Sequence, residues 1–169
     1  VPIRAWTMVL LCICAFIWFP IPLEFWKPLQ VDFLALGQGD CTVIRTPENR
    51  TILIDGGPTP RNPDPHRPSM LVQYLTAEGI RHIDAVILTH PQADHIGALS
   101  DVARRISIGL LLEGCRQSEL SEYITFQSIL EQKKIERILV QRGDCMEMGS
   151  DCRIWIVNPP DDSLPEGLD

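Results

Sequence analysis

The stretch "DAVILTHPQADHIGAL", residues 84 to 99, constrains the fold more than any other part of the chain. "DAVILT" is apolar and rich in β-formers, the pattern of a strand buried on both faces of a sheet. His90 then stands just past that strand's carboxyl end, where ligands collect in open α/β sheets. Pro91 stiffens the turn, Gln92 and Ala93 carry the chain to Asp94 and His95, and Ile96 to Leu99 continue into a helix. One short loop therefore holds two imidazoles and a carboxylate.

The flanking sequence agrees with an interior strand here. "QVDFLAL", "CTVIRT" and "TILID" read as three strands, with "GQGD" (residues 37–40) as the tight turn between the first two. A Pro-rich loop, "GGPTPRNPDPHRP", separates them from a helix over "SMLVQYLTAEG", with Ser69 as N-cap and Gly79 at its end. After "DAVILT" the pattern predicts a helix over 94–105, a strand over 106–114 and an amphipathic helix over 118–134. That last helix should turn Leu120, Ile124, Phe126 and Ile129 inward. "ERILVQR" and "CRIWIVN" supply two further strands. The expected order is β-β-β-α-β-α-β-α-β-β, an α/β fold with a mixed sheet covered by helices. At 169 residues the chain holds one such domain, and it is expected to be a fragment of a longer protein.

The start of the chain is different in kind. No charge occurs in the nineteen residues from Ala5 to Leu23, about the length that crosses a bilayer core. Trp6, Trp18 and Trp26 sit near its two ends, as interfacial aromatics do, and Pro20 and Pro22 mark a stop. The expected division is a transmembrane helix and short linker over 1–28 and a soluble domain over 29–169. A cleaved signal peptide and a buried core helix are the rival readings; the first wants a shorter apolar run and a small-residue cleavage site. Arg4 and Lys27 flank the segment evenly, so the positive-inside rule leaves its orientation open.

Charge and cysteine usage narrow the chemistry. With 22 acidic and 15 basic residues the formal net charge is -7, against a surface that grips nucleic acid by broad electrostatics. Arg61, His66 and Arg67 are the positive residues of the Pro-rich loop, which reads first as a solvated loop. The six cysteines show no C-x-x-C spacing. Cys145 and Cys152 flank a turn and could pair in an oxidising compartment, although unpaired thiols are the expectation.

Zinc or manganese accepts the mixture of donors offered by His90, Asp94 and His95. The plain alternative is a satisfied histidine beside a helix-capping Asp94. The succession strand, "GQGD", strand, "ILIDGG", helix, strand, "THPQADH" resembles the metallo-β-lactamase fold family, an αβ/βα sandwich of which this would be the N-terminal half. Its signature is H-x-H-x-D-H at a strand end, with an aspartate closing an earlier strand. His90, Asp94, His95 and Asp55 match those places. More narrowly, "LALGQGDCTVIRTPENRTILIDGGP" with "IDAVILTHPQADHIGAL" looks like the hydrolase domain of ComEC-type DNA-uptake channel proteins, which follows a block of transmembrane helices.

The resemblance implies a divalent metal, one or two ions of Zn or Mn, and metal-assisted hydrolysis. His90 and His95 would be ligands, and Asp94 a ligand that also orients water or accepts its proton. Asp55 would steady a ligand's ring, its plain alternative being a turn residue before Gly56. Asp40 and Gln38 would stand at the mouth of the site, unless "GQGD" is only a hairpin turn. The remaining ligands are expected beyond residue 169. The implied partners are the membrane, the channel part of the same protein, DNA and the competence machinery, at a bacterial cell membrane with the domain extracytoplasmic. Position 92 departs from the pattern: Gln92 stands where the fold family has His, and its neutral oxygen is a poor ligand for a transition metal. A decayed, non-catalytic scaffold of the channel and a membrane-attached hydrolase with a non-nucleic substrate are the competing functions.

Overall fold

The computed structural model describes residues 6–8, 27–59, 64, 66–114, 118–150 and 152–157. A meander opens the sheet: β1 (Gln30–Phe33), β2 (Thr42–Arg45) and β3 (Thr51–Ile54) pair antiparallel in turn. Three crossovers follow. Helix α1 (Met70–Ala77) leads to β4 (His82–Leu88), helices α2 (Ala93–Ile96) and α3 (Leu99–Arg105) to β5 (Ser107–Glu113), and α4 (Ser121–Lys133) to β6 (Glu136–Leu139). The six strands lie in the order β1-β2-β3-β4-β5-β6, with β3 to β6 parallel. A second, two-stranded sheet is formed by β7 (Cys145–Glu147) and β8 (Arg153–Trp155).

The apolar run places β4 where its sequence demands. Ala85, Val86 and Leu88 are buried, with β3 hydrogen-bonded on one side and β5 on the other. Val43, Leu53, Val86 and Leu111 face the helices, meeting Leu71, Leu75, Leu99, Val102, Phe126 and Leu130 in the main core. Full burial of each such side chain stabilises the fold by about 1.5–3 kcal/mol. On the other face Ile52 and Ala85 pack beneath Met146, Met148 and Ile154 of the β7–β8 hairpin.

Helix α1 begins as expected, the Ser69 hydroxyl accepting the Val72 N–H at 3.3 Å. It closes at Glu78, with Gly79 beyond at φ 74°.

Several expectations need correction. The helix expected over 94–105 is two short ones: the Gly97 N–H donates outside the helix, to the Gly57 carbonyl at 2.9 Å, where the chain passes close to Pro58 and Thr59. Helix α4 starts at Ser121 and turns Tyr123, Phe126, Ile129 and Leu130 inward, while Ile124 is 54% exposed. Ile124 lies two positions from Phe126, about 200° round a helix, so the two cannot share a face. The first and last strands are shorter than the patterns suggested, and β7 was missed because "CME" is too brief to show alternation. Of the thiols in the described residues, Cys41 is buried and unpaired, Cys145 is exposed and Cys152 is half-buried, neither paired with the other.

No helix among the described residues is long and apolar enough to cross a membrane. The segment from Ala5 to Leu23 falls outside those residues except for Trp6 to Met8, which are helical and exposed. Residues 60–63 and 65 of the Pro-rich loop, Arg61 included, also lie outside them, whereas His66 and Arg67 are exposed.

Candidate metal centre

Parallel register brings two strand ends together. Ile54 pairs with Ile87, so the residues after β3 and β4 emerge side by side, and the Asp55 N–H donates to the Ile87 carbonyl at 2.9 Å. Asp55 is 2% exposed and holds φ at 57°, a left-handed conformation that Asp tolerates better than most residues. That backbone turns its carboxylate across the end of β4. One oxygen accepts the Thr89 N–H at 2.9 Å; the other accepts the Thr89 hydroxyl at 2.7 Å and lies 2.8 Å from His95 Nδ1.

These bonds define the histidines. A carboxylate only accepts, so His95 donates from Nδ1 and, in the neutral ring, leaves Nε2 with a free lone pair. The two rings lie with centroids 4.0 Å apart and a 50° tilt, and His90 Nδ1 is 3.0 Å from the Thr89 hydroxyl.

Asp94 sits in the first turn of α2, its side chain half exposed, with Oδ2 3.8 Å from His95 Nε2. Gln92 is the N-cap residue of α2: its carbonyl accepts from the His95 and Ile96 N–H groups at 3.0 Å, while its side chain makes no capping bond and is exposed. The structure therefore joins Asp55, His90 and His95, brings Asp94 alongside and leaves Gln92 at the rim. Among the described residues no group of three His, Cys, Asp or Glu is placed to hold a metal ion. The donor chemistry nonetheless fits one in part, with two imidazole nitrogens and a neighbouring carboxylate oxygen.

Three loops interlock beneath these residues. Gly39, at φ 137°, lies so close to the Asp94 carbonyl that any side chain there would collide with it. The Asp40 carbonyl accepts the Gly57 N–H at 2.9 Å, and Gly57 in turn accepts the Gly97 N–H at 2.9 Å. Gln38 and Asp94 line one open cleft together with Leu36, Pro58 and Met70. Asp40 contributes its backbone to this arrangement, and its side chain is exposed.

Cys41, next in the chain, is buried, and its thiol is pushed up to about 12 by desolvation and then by the Asp55 charge. On the far side, Ser118 Oγ reaches the Pro91 carbonyl at 3.5 Å. Glu113, fully buried at the end of β5, accepts from Arg137 Nε at 2.9 Å and from the Tyr123 hydroxyl at 3.0 Å. Thr89 and Glu113 had no place in the sequence reading. Thr89 was legible only as the hydroxyl preceding His90, and Glu113 looked like an ordinary strand end.

Residues 34–114, which span every one of these loops, match the metallo-beta-lactamase superfamily. This region is a metallo-beta-lactamase domain. The chain is 30% identical over 143 residues to ComE operon protein 3 of Bacillus subtilis, a match covering 77% of this chain and 18% of that protein. Among solved structures it is similar to the metallo-beta-lactamase fold protein YhfI from Bacillus subtilis, at 16% identity and a TM-score of 0.47, over 73% of this chain and 50% of that one. It is also similar to an archaeal metallo-beta-lactamase superfamily protein from Sulfolobus tokodaii, at 16% identity and a TM-score of 0.47, over 75% of this chain and 54% of that one.

Proposed function

We propose that this metallo-beta-lactamase domain is a metal-dependent hydrolase tethered to a DNA-uptake channel, acting on or near the DNA strand during uptake. The observation that carries the reading is the pair of touching imidazoles at the end of β4, with His95 locked by Asp55 so that its Nε2 is free for an ion. The similarity to a competence operon protein supports the setting.

A divalent ion, Zn or Mn, would supply Lewis acidity and lower the pKa of a water it holds. His90 and His95 would hold it. Asp94, half exposed at the edge of the cleft, would orient the water and accept its proton. Asp55 would keep the His95 ring turned toward the ion, and Gln38 would meet the substrate at the mouth. The apolar segment from Ala5 to Leu23 would anchor the domain on the extracytoplasmic side of a bacterial cell membrane, next to the channel and the competence machinery.

A second reading, a non-catalytic scaffold of the channel, is favoured by the exposed Gln92 and by the lack of a converged donor trio among the described residues. Cleavage of single- and double-stranded DNA by the full chain with added Mn²⁺ or Zn²⁺, beside Asp94→Ala, separates the two. Metal-dependent cleavage that Asp94→Ala abolishes supports the hydrolase; a folded chain that neither binds metal nor cleaves supports the scaffold. Cleavage of an ester but not of DNA would instead support a hydrolase with a non-nucleic substrate.

A further inference from the structure

We infer that Thr89 is a positioning residue that fixes the tautomer of His90, so that one carboxylate, Asp55, governs both imidazoles. The argument is a count of protons. The Thr89 hydroxyl carries one, and it donates that proton to Asp55 Oδ2 at 2.7 Å. The Thr89 hydroxyl oxygen also lies 3.0 Å from His90 Nδ1, and having given its proton to Asp55 it can only accept there. His90 must therefore hold its proton on Nδ1 and keep Nε2 bare. His95 reaches the same state directly, through its 2.8 Å contact with Asp55 Oδ2.

The backbone makes the relay rigid. Asp55 Oδ1 holds the Thr89 N–H at 2.9 Å, so Thr89 is gripped at two atoms and its hydroxyl cannot turn away without breaking a bond to a 2% exposed carboxylate. Val would fill the same volume but could neither donate to Asp55 nor accept from His90. Ser would do both. The residue thus couples two neighbouring rings that would otherwise choose their tautomers separately, and it ties the loop carrying His90 to the end of β3.

That a bare Nε2 matters for metal rests on the hydrolase reading above; that Thr89 sets it does not. The test uses the full chain in detergent with ¹⁵N-labelled histidine, free of metal, at about pH 8, above the ordinary histidine range. Long-range ¹H–¹⁵N correlations assign the tautomer of each of the four histidines. The wild type should show the Nδ1–H form at His90 and His95. Thr89→Val should leave His95 unchanged and give His90 a mixture of tautomers; Thr89→Ser should restore the single form, with His66 and His82 reporting an intact fold.

In a parallel titration Zn²⁺ affinity should fall about tenfold in Thr89→Val and recover in Thr89→Ser, the lower end of the effect of an outer-shell partner. A single Nδ1–H form persisting at His90 in Thr89→Val would overturn the inference. So would a joint change of His90 and His95, which would make Thr89 a general prop of the loop. If the tautomers behave as stated but no variant, wild type included, binds Zn²⁺, the positioning role stands and the hydrolase reading falls.

Discussion

Asp55 reaches His95 from a left-handed backbone, its carboxylate 2.8 Å from Nδ1 while φ stands at 57°. The conformation and the bond can be tested separately. Asp55→Gly keeps the backbone free to adopt that φ and deletes the carboxylate, whereas Asp55→Ala deletes the carboxylate and adds about 1–2 kcal/mol of left-handed strain. Both variants should lose about 1–3 kcal/mol with the bonds that the buried Asp55 carboxylate accepts from Thr89 and His95, with Asp55→Ala the less stable. Urea unfolding checks the order. If metal binds here, its affinity should fall about 10- to 100-fold in either variant.

The interlocked loops make a second prediction. A side chain at Gly39 would collide with the Asp94 carbonyl, and one at Gly97 with the backbone of Pro58 and Thr59. Neither obstacle is the end of a flexible side chain, so Gly39→Ala and Gly97→Ala should each cost at least about 1–3 kcal/mol. Gly79→Ala is the control, since nothing lies within 4 Å of a Cβ built there and only the strain of its φ of 74° opposes it. Chemical denaturation should find Gly79→Ala the mildest of the three.

The reach of sequence reasoning follows from the range over which each interaction acts. The strands carrying Asp55 and His90 were legible because burial on both faces leaves a local apolar run, and the Ser69 cap because it acts within three residues. The break at Gly97 was not, since the acceptor of its N–H is the Gly57 carbonyl, forty residues away in sequence. Ile124 faces solvent because it lies about 200° round the helix from the buried Phe126, an angle that apolar character alone does not carry. The candidate site divides in the same way. His90, Asp94 and His95 lie within six residues, and Asp55 was read through a resemblance. Thr89 acquires a role only when parallel pairing sets it beside Asp55, and Glu113 only when Arg137 and Tyr123 fold over it.

Tyr123 and Cys41 give the domain an alkaline limit. Burial, followed by the Glu113 charge, pushes the Tyr123 hydroxyl up to about 12 from an ordinary value of 10.0. Burial and then Asp55 push the Cys41 thiol up to about 12 from 9.0. In both the folded state binds the proton more tightly than the unfolded one. Their contribution is therefore complete below the unfolded values and is lost as pH rises, from about pH 9 for Cys41 and pH 10 for Tyr123 toward pH 12. Each group can steepen the decline by up to ~1.4 kcal/mol per pH unit. Denaturation midpoints measured from pH 8 to pH 11 should fall, and Cys41→Ala should flatten the part of the slope that begins lowest. An unchanged slope in Cys41→Ala would refute the assignment.

Gln92 offers the most direct gain-of-function test. Its side chain is exposed and makes no capping bond, so Gln92→His should change folding stability by no more than about 0.5 kcal/mol. The substitution places a third imidazole two residues from His90 and three from His95, and imidazole is a far better donor to zinc than a neutral amide oxygen. Zn²⁺ affinity measured by calorimetry should rise at least about tenfold, equivalent to ~1.4 kcal/mol. Gln92→Asp should raise it too and, because Asp is a favoured N-cap, should also stabilise helix α2. A rise in stability for Gln92→Asp with no gain in metal affinity for either variant would show that position 92 belongs to the helix and not to a metal centre.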